Sequence, residues 1–230
     1  MGMKLGLIEP LERVTLGNRV HEELCDLLMA GRLVPGEKLS LRNVAKSMGV
    51  SVMPVREAVT RLVAEGALEV SPNRAVSVPI MTRQKLQELT MIRCEIEGFA
   101  VAKAALNRTQ KDIKRIRQLD EQFRETVRSA DGKAEKGLKF NKELHFAIYR
   151  AARLPLLESI IQGLWLKIGP VINLDLGSSE TRLRSGDAEA CHALMVAALV
   201  EGDAEAARSA LVRDISTSSQ YIQSTGALPE

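Results

Sequence analysis

Apolar residues recur at helical spacing through most of the chain, and the interruptions divide it into elements. Leu16, Val20, Leu24, Leu27 and Leu28 line one side of a segment that the pattern extends over residues 11–29 and that Gly31 ends. The LVPGE turn at residues 33–37 then resets the chain direction. Val44, Ala45 and Met48 mark a short helix over 41–48 that stops at Gly49. Val55, Ala58, Val59, Leu62 and Val63 mark another, capped by Ser51 and running to Gly66. Pro54 falls in the first turn of that helix, where it removes no intrahelical hydrogen bond. Between residues 68 and 78 the pattern changes. Two short apolar runs, 68–70 and 76–78, flank the polar stretch 71–74, which predicts two strands joined by a tight turn.

Beyond residues 78–81 only helices are predicted. They cover 82–104, 109–130, 133–151 and 155–169, with Thr82 and Thr109 as caps. Residues 169–178 contain Pro170 and Gly177 and read as a loop or a broken helix. A hairpin of two helices, 180–200 and 203–220, turns at Glu201-Gly202-Asp203 and closes the pattern, and the Ser/Thr/Gln/Gly-rich end is expected to be loose from Ser224. The expected fold is mainly α, with a winged helix-turn-helix over 1–79, an antiparallel all-helical bundle over 80–223 and a flexible tail over 224–230. Aromatic residues are 3% of the chain while hydrophobic residues are 45%, so the cores must be built from aliphatic side chains.

The net charge of +3 says little about partners, but its distribution says more. Residues 38–61 hold five bases, Lys38, Arg42, Lys46, Arg56 and Arg61, against one acid, Glu57. A solvated face has the same composition, and the helix-turn-helix spacing favours nucleic acid. Cys25, Cys94 and Cys191 are odd in number and scattered, so no disulfide framework is expected and a reducing cytoplasm suits the chain. There is no basic-then-apolar start, and the apolar stretch 154–176 is interrupted by Pro155, Glu158, Lys167 and Asp175. A soluble protein without a membrane partner is expected.

Gly36-Glu37-Lys38-Leu39, Val44-Ala45, Met48-Gly49-Val50-Ser51, Pro54-Val55-Arg56-Glu57-Ala58-Val59, Arg61-Leu62 and Glu65-Gly66 together resemble the winged-helix signature of the GntR family of bacterial transcription factors. The remainder resembles the FCD-type ligand-binding domain of the FadR subfamily. Arg93 with Glu97, Asn141 with His145, His192 and the segment 201–208 carry that likeness. The resemblance implies a homodimeric regulator, a repressor, whose affinity for double-stranded operator DNA is set by a small organic or sugar acid. It matches Arg42 and Arg56 to base-reading arginines. Lys46, Ser51, Arg61 and Arg74 join them as groups for phosphates or the wing, and Val52 or Met53 for a thymine methyl. Two positions depart from the family pattern. Val52 stands where an arginine usually follows the turn serine, and Ala75 where the wing usually has glycine. Loss of that arginine removes a guanine contact worth ~1–3 kcal/mol of discrimination, so the operator is expected to differ from the common one.

Asn141 and His145, four residues apart, share a helix face, and His192 and Asp214 lie ten residues before and twelve after Gly202 on the two arms of the hairpin. Those spacings alone also suit ordinary structural histidines. The resemblance implies a divalent metal at Asn141, His145, His192 and Asp214, with Asp214 replacing the family's last histidine. A carboxylate keeps zinc, nickel and manganese all open. The alternative is a metal-free polar cavity in which Asp214 pairs with His145, His192 or Arg93. Arg93 is expected to anchor a carboxylate effector, or to pair with Glu97 four residues on. No catalytic residue is expected, because no nucleophile with a base is identifiable. A helical domain that only dimerises is the remaining reading.

Overall fold

The computed structural model describes residues 15–129, 134–176 and 186–230. The first domain begins with α1 (Leu16–Met29), whose N-cap Thr15 accepts from the Asn18 amide at 3.2 Å; the expected start at residue 11 lies outside the described residues. The chain continues through β1 (Lys38–Leu39), α2 (Leu41–Met48), α3 (Val52–Ala64), β2 (Glu69–Val70) and β3 (Val76–Ser77). Ser40 caps α2, and Gly49 ends it in the left-handed conformation at φ 65°, which only glycine adopts without steric cost. Val20, Leu24 and Leu28 of α1 pack on Val55, Ala58 and Leu62 of α3, all buried, and this contact holds the helix-turn-helix.

The wing pairs as expected, with Val70 opposite Val76. A third strand was not legible: β1 pairs with β3, Leu39 opposite Val76, giving the order β1-β3-β2. Two residues carry no periodicity, and their pairing is set by a contact far along the chain. At the wing tip the Asn73 side chain accepts from the Ala75 amide at 3.2 Å, and the positive φ falls on Arg74, at 62°, rather than on Ala75. Alanine in place of the usual glycine is therefore not strained here.

The second domain comprises α4 (Arg83–Asn107), α5 (Gln110–Arg128), α6 (Ala134–Ala151), α7 (Pro155–Leu176), α8 (Asp187–Glu201) and α9 (Ala204–Ser224). Thr82 caps α4, and Thr109 forms a capping box with Asp112 at the start of α5. Antiparallel α4 and α9 pack along each other, as do α5 and α6. Their core includes Val101, Ile116, Leu144, Ile148, Trp165, Met195 and Leu211. Among the described residues no helix is long and apolar enough to cross a membrane.

Two expectations are corrected. Residues 169–176 are not a loop: α7 passes through Pro170. An internal proline costs about 3 kcal/mol, but Ile168, Val171 and Ile172 are buried in a third core cluster beside Leu86 and Ile222. Burying apolar side chains of this kind contributes about 1.5–3 kcal/mol each, enough to keep the helix going. The end of the chain is not loose either. Leu228 is buried in the same cluster, and the Arg83 amide donates to the Pro229 carbonyl at 3.0 Å.

The two domains meet along α1 and α7. A Cβ at Gly169 would lie 2.3 Å from the Leu28 carbonyl oxygen, so glycine is what lets the helices approach. Leu166 of α7 is part of the winged-helix core, Lys142 of α6 pairs with Asp26 at 2.9 Å, and Lys167 donates to the Glu65 carbonyl at 2.8 Å.

Candidate effector and DNA-facing sites

On the winged helix, Arg42 and Lys46 of α2, Ser51, Met53 and Arg56 around the start of α3, and Arg74 at the wing tip are all exposed. Val52 is half-buried against the core, so Met53, 61% exposed, is the apolar group there that faces solvent. Ser51 occupies the N-cap position of α3 but makes no side-chain cap bond. The Val52 and Met53 amides therefore keep the donor character of a helix start, suited to phosphate. Arg61 is placed differently. Its Nη1 donates to Asn18 Oδ1 at 2.8 Å, and it lines the cleft between α1, α3 and α7 rather than the surface around the start of α3.

In the helical domain, four residues singled out from sequence line one cavity of about 50 Å³, Arg93 from α4, Asn141 and His145 from α6, and Asp214 from α9, and the fifth, His192 of α8, clusters with His145 and Asp214. His145 Nε2 lies 3.3 Å from His192 Nε2 and 3.4 Å from Asp214 Oδ2, and His192 Nε2 lies 4.0 Å from Asp214 Oδ1. His145, His192 and Asp214 form a cluster able to coordinate a metal, with ligand atoms all within 4.8 Å of one another.

Behind the cluster runs a buried chain of hydrogen bonds. Glu97, fully buried, accepts from Arg93 Nε at 2.6 Å and Nη2 at 3.2 Å, from Trp165 Nε1 at 3.1 Å, and from the Tyr149 hydroxyl. Tyr149 thus spends its proton on a carboxylate, and its oxygen lies 3.1 Å from His145 Nδ1. That nitrogen is placed to donate to the hydroxyl oxygen, and in the neutral tautomer this leaves the Nε2 lone pair of His145 on the side of His192 and Asp214. The His192 Nδ1 atom is buried with no hydrogen-bond partner among the described residues. Two imidazole nitrogens and a carboxylate oxygen converge within 4.8 Å of one another, a donor set that suits a divalent cation. Burial lowers the His192 pKa to about 4, only partly opposed by Asp214, so its ring is neutral at physiological pH, as a metal ligand must be. Burial disfavours the Arg93 charge, yet Glu97 more than offsets this and holds its pKa above the ordinary value. Burial, then the Glu97 charge, push Tyr149 well above its ordinary value and keep the phenol protonated.

Tyr149 and Trp165 were not foreseen as parts of this site. Tyr149 stands four residues after His145, a spacing visible in the sequence, whereas Trp165 reaches Glu97 from another helix and left no local signal.

A winged helix-turn-helix joined to an all-helical bundle is the architecture of a DNA-binding transcriptional regulator. The family model of the bacterial regulatory proteins of the gntR family matches residues 16–78, and that of the FCD domain matches residues 88–217. The chain belongs to the GntR family of DNA-binding transcriptional regulators and carries an FCD domain, a family and fold of non-enzymatic proteins. It is 36% identical over 160 residues to the HTH-type transcriptional regulator McbR of Escherichia coli strain K12, covering 70% of this chain and 72% of that protein. The solved structure of E. coli McbR/YncC aligns with a TM-score of 0.86 at 31% identity, covering 93% of this chain and all of that one. A probable D-xylose utilization operon transcriptional repressor of Paenarthrobacter nicotinovorans is 27% identical over 205 residues, 89% of this chain and 88% of that protein.

Proposed function

We propose that this protein is a cytoplasmic, homodimeric repressor of the FadR subfamily that releases or grips a two-fold operator according to a small organic or sugar acid bound in the helical domain. The observation that carries the reading is the convergence of Arg93, Asn141, His145 and Asp214 on one cavity, with the buried His192 clustered against His145 and Asp214. Its volume of about 50 Å³ suits a few water-sized groups and therefore a short acid rather than a long acyl chain. His145, His192 and Asp214, with Asn141 on the same wall, would hold a divalent ion, zinc, nickel or manganese, which supplies a Lewis-acid position for a carboxylate. Arg93 supplies the second anchor: Glu97 engages its Nε and Nη2, orienting the guanidinium while the Nη1 edge remains for the ligand. For the dimer, Met91, Phe99 and Leu106 form an exposed apolar line along α4, at 65%, 48% and 60% exposure.

The helices that carry the pocket also touch the winged helix. Lys142, next to Asn141, pairs with Asp26 of α1, and Leu166 and Lys167, next to Trp165, contact the winged-helix core and the end of α3. A ligand that favours one setting of α6 and α7 thereby biases the winged helix, which is the differential contact that allostery requires. His192→Ala is expected to lower metal content and acid affinity together while ligand-free operator binding persists. Elemental analysis, calorimetry with candidate acids and operator titration on the same variant test this. Native acid affinity in metal-depleted protein would assign ligand binding to Arg93 and hydrogen bonds alone.

The operator-facing groups separate by role. Arg56→Ala is expected to cost ~1–3 kcal/mol of discrimination at one base position. Lys46→Ala is expected to weaken all DNA binding and lower the salt slope by about one. Fluorescence titrations against matched and mismatched duplexes over a salt series distinguish the two, and unchanged specificity removes Arg56 from base reading.

A further inference from the structure

We infer that the cleft between the two domains holds a second metal site, a Cys25–His21–Glu65 centre for a zinc-class divalent cation, separate from the buried cluster. His21 and Cys25 sit one turn apart on α1, and Glu65 caps the end of α3. His21 Nε2 lies 3.2 Å from Glu65 Oε1, Cys25 Sγ lies 3.7 Å from both His21 ring nitrogens, and the three residues can each offer a ligand atom within 4.8 Å of the others. With Zn–S, Zn–N and Zn–O bonds of ordinary length, the edges of a tetrahedral site are roughly 3.3–3.6 Å. The two measured edges already come within a few tenths of an ångström of that. The fourth position opens into a cleft of about 560 Å³ between α1, α3 and α7, also lined by Glu22, Asp26, Arg61 and Gln162.

The donor set selects the ion. A thiolate and an imidazole favour zinc-class metals over magnesium or calcium, and one carboxylate brings the centre close to neutrality. Burial, with Glu65 and Asp26 nearby, pushes the Cys25 thiol up to about 12, so no free thiolate persists there. The same acidic surroundings attract a cation. When it binds, the Cys25 proton leaves to solvent as the S–metal bond forms, and His21 coordinates as the neutral ring. Arg61, held by Asn18 at 2.8 Å, and Lys167, on the Glu65 carbonyl at 2.8 Å, are cations that border the site and oppose a metal. The location gives the site its consequence: the Glu65 carbonyl already accepts from Lys167 of the helical domain, so a metal here would tie α1 to the end of α3 at the joint between the domains.

Cobalt(II) titration of the full chain under reducing conditions tests the assignment, because the buried cluster contains no sulfur. The expected result is a thiolate-to-cobalt charge-transfer band that Cys25→Ser abolishes, with the loss of one bound metal per chain, and that His192→Ala, Cys94→Ser and Cys191→Ser retain. Glu65→Gln, at an exposed carboxylate, is expected to lower the affinity of the sulfur-containing site about tenfold or more. It carries the test if Cys25→Ser fails to fold. No charge-transfer band, a band that survives Cys25→Ser, or unchanged affinity in Glu65→Gln overturns the assignment, whatever the metal occupancy of the buried cluster.

Discussion

Glu97→Ala is expected to destabilise the helical domain by about 3–5 kcal/mol, the cost of leaving a buried charge without its partner. Glu97 is fully buried and satisfies Arg93, Tyr149 and Trp165 together, so its removal leaves a buried guanidinium, a phenol and an indole without their acceptor. Glu97→Gln keeps one acceptor oxygen and most of the volume and is expected to lose less. Trp165 is the only tryptophan in the chain and donates to Glu97 directly, so its fluorescence reports on this network. Denaturant titration followed at Trp165 checks the prediction. A midpoint unchanged by Glu97→Ala would show that Arg93 finds another counterion on relaxation.

The second large effect is on pH. Metal-depleted protein is expected to lose roughly 3 kcal/mol of stability as the pH falls through the interval set by His192, whose pKa drops from the ordinary 6.5 to about 4 on folding. Within that interval the unfolded chain carries a proton on residue 192 that the folded chain does not. Stability therefore rises with pH there, is complete above 6.5 and is lost towards 4. Burial of the ring is the cause, and its orphaned Nδ1 gives a proton no acceptor on that side. His192→Gln, which cannot titrate, is expected to flatten the slope across this range. Zinc added to the native sequence is expected to raise stability above that range, where ligand nitrogens are free, and to be displaced by protons below it. Urea midpoints at a series of pH values, with and without zinc, measure both effects. A slope identical in His192→Gln and the native protein would assign the acid sensitivity to other groups.

Much of the architecture was legible because it is written in local patterns. The helix-turn-helix follows from Val44, Ala45, Val55, Ala58 and Leu62 at helical spacing around Gly49, and the last four are buried in one core with the half-buried Val44 packed against it. Thr82, Thr109 and Gly202 mark helix ends by capping chemistry that acts within a few residues. Asn141 and His145 could be placed on one face for the same reason. Proline chemistry is equally local, and it misled at Pro170, because burial of Val171 and Ile172 against residues far along the chain outweighs the lost helix bond. Leu228 misled similarly: a polar, Gly-containing stretch reads as loose until the tertiary structure offers its one buried leucine a place.

By itself the sequence determined the order of the helices and of the two wing strands, the two-domain division, the family and the candidate residue types for DNA, acid and metal, since periodicity, caps and motif spacing are properties of neighbours. Only the tertiary structure decided what those residues face. It bonded Arg61 to Asn18, placed the positive φ on Arg74, and joined Arg93 through Glu97 and Tyr149 to His145. It also brought His21, Cys25 and Glu65 together across a sequence separation of 44 residues. Hydrogen bonds and coordination require atoms within a few ångströms, and helix packing, rather than position along the chain, sets those distances.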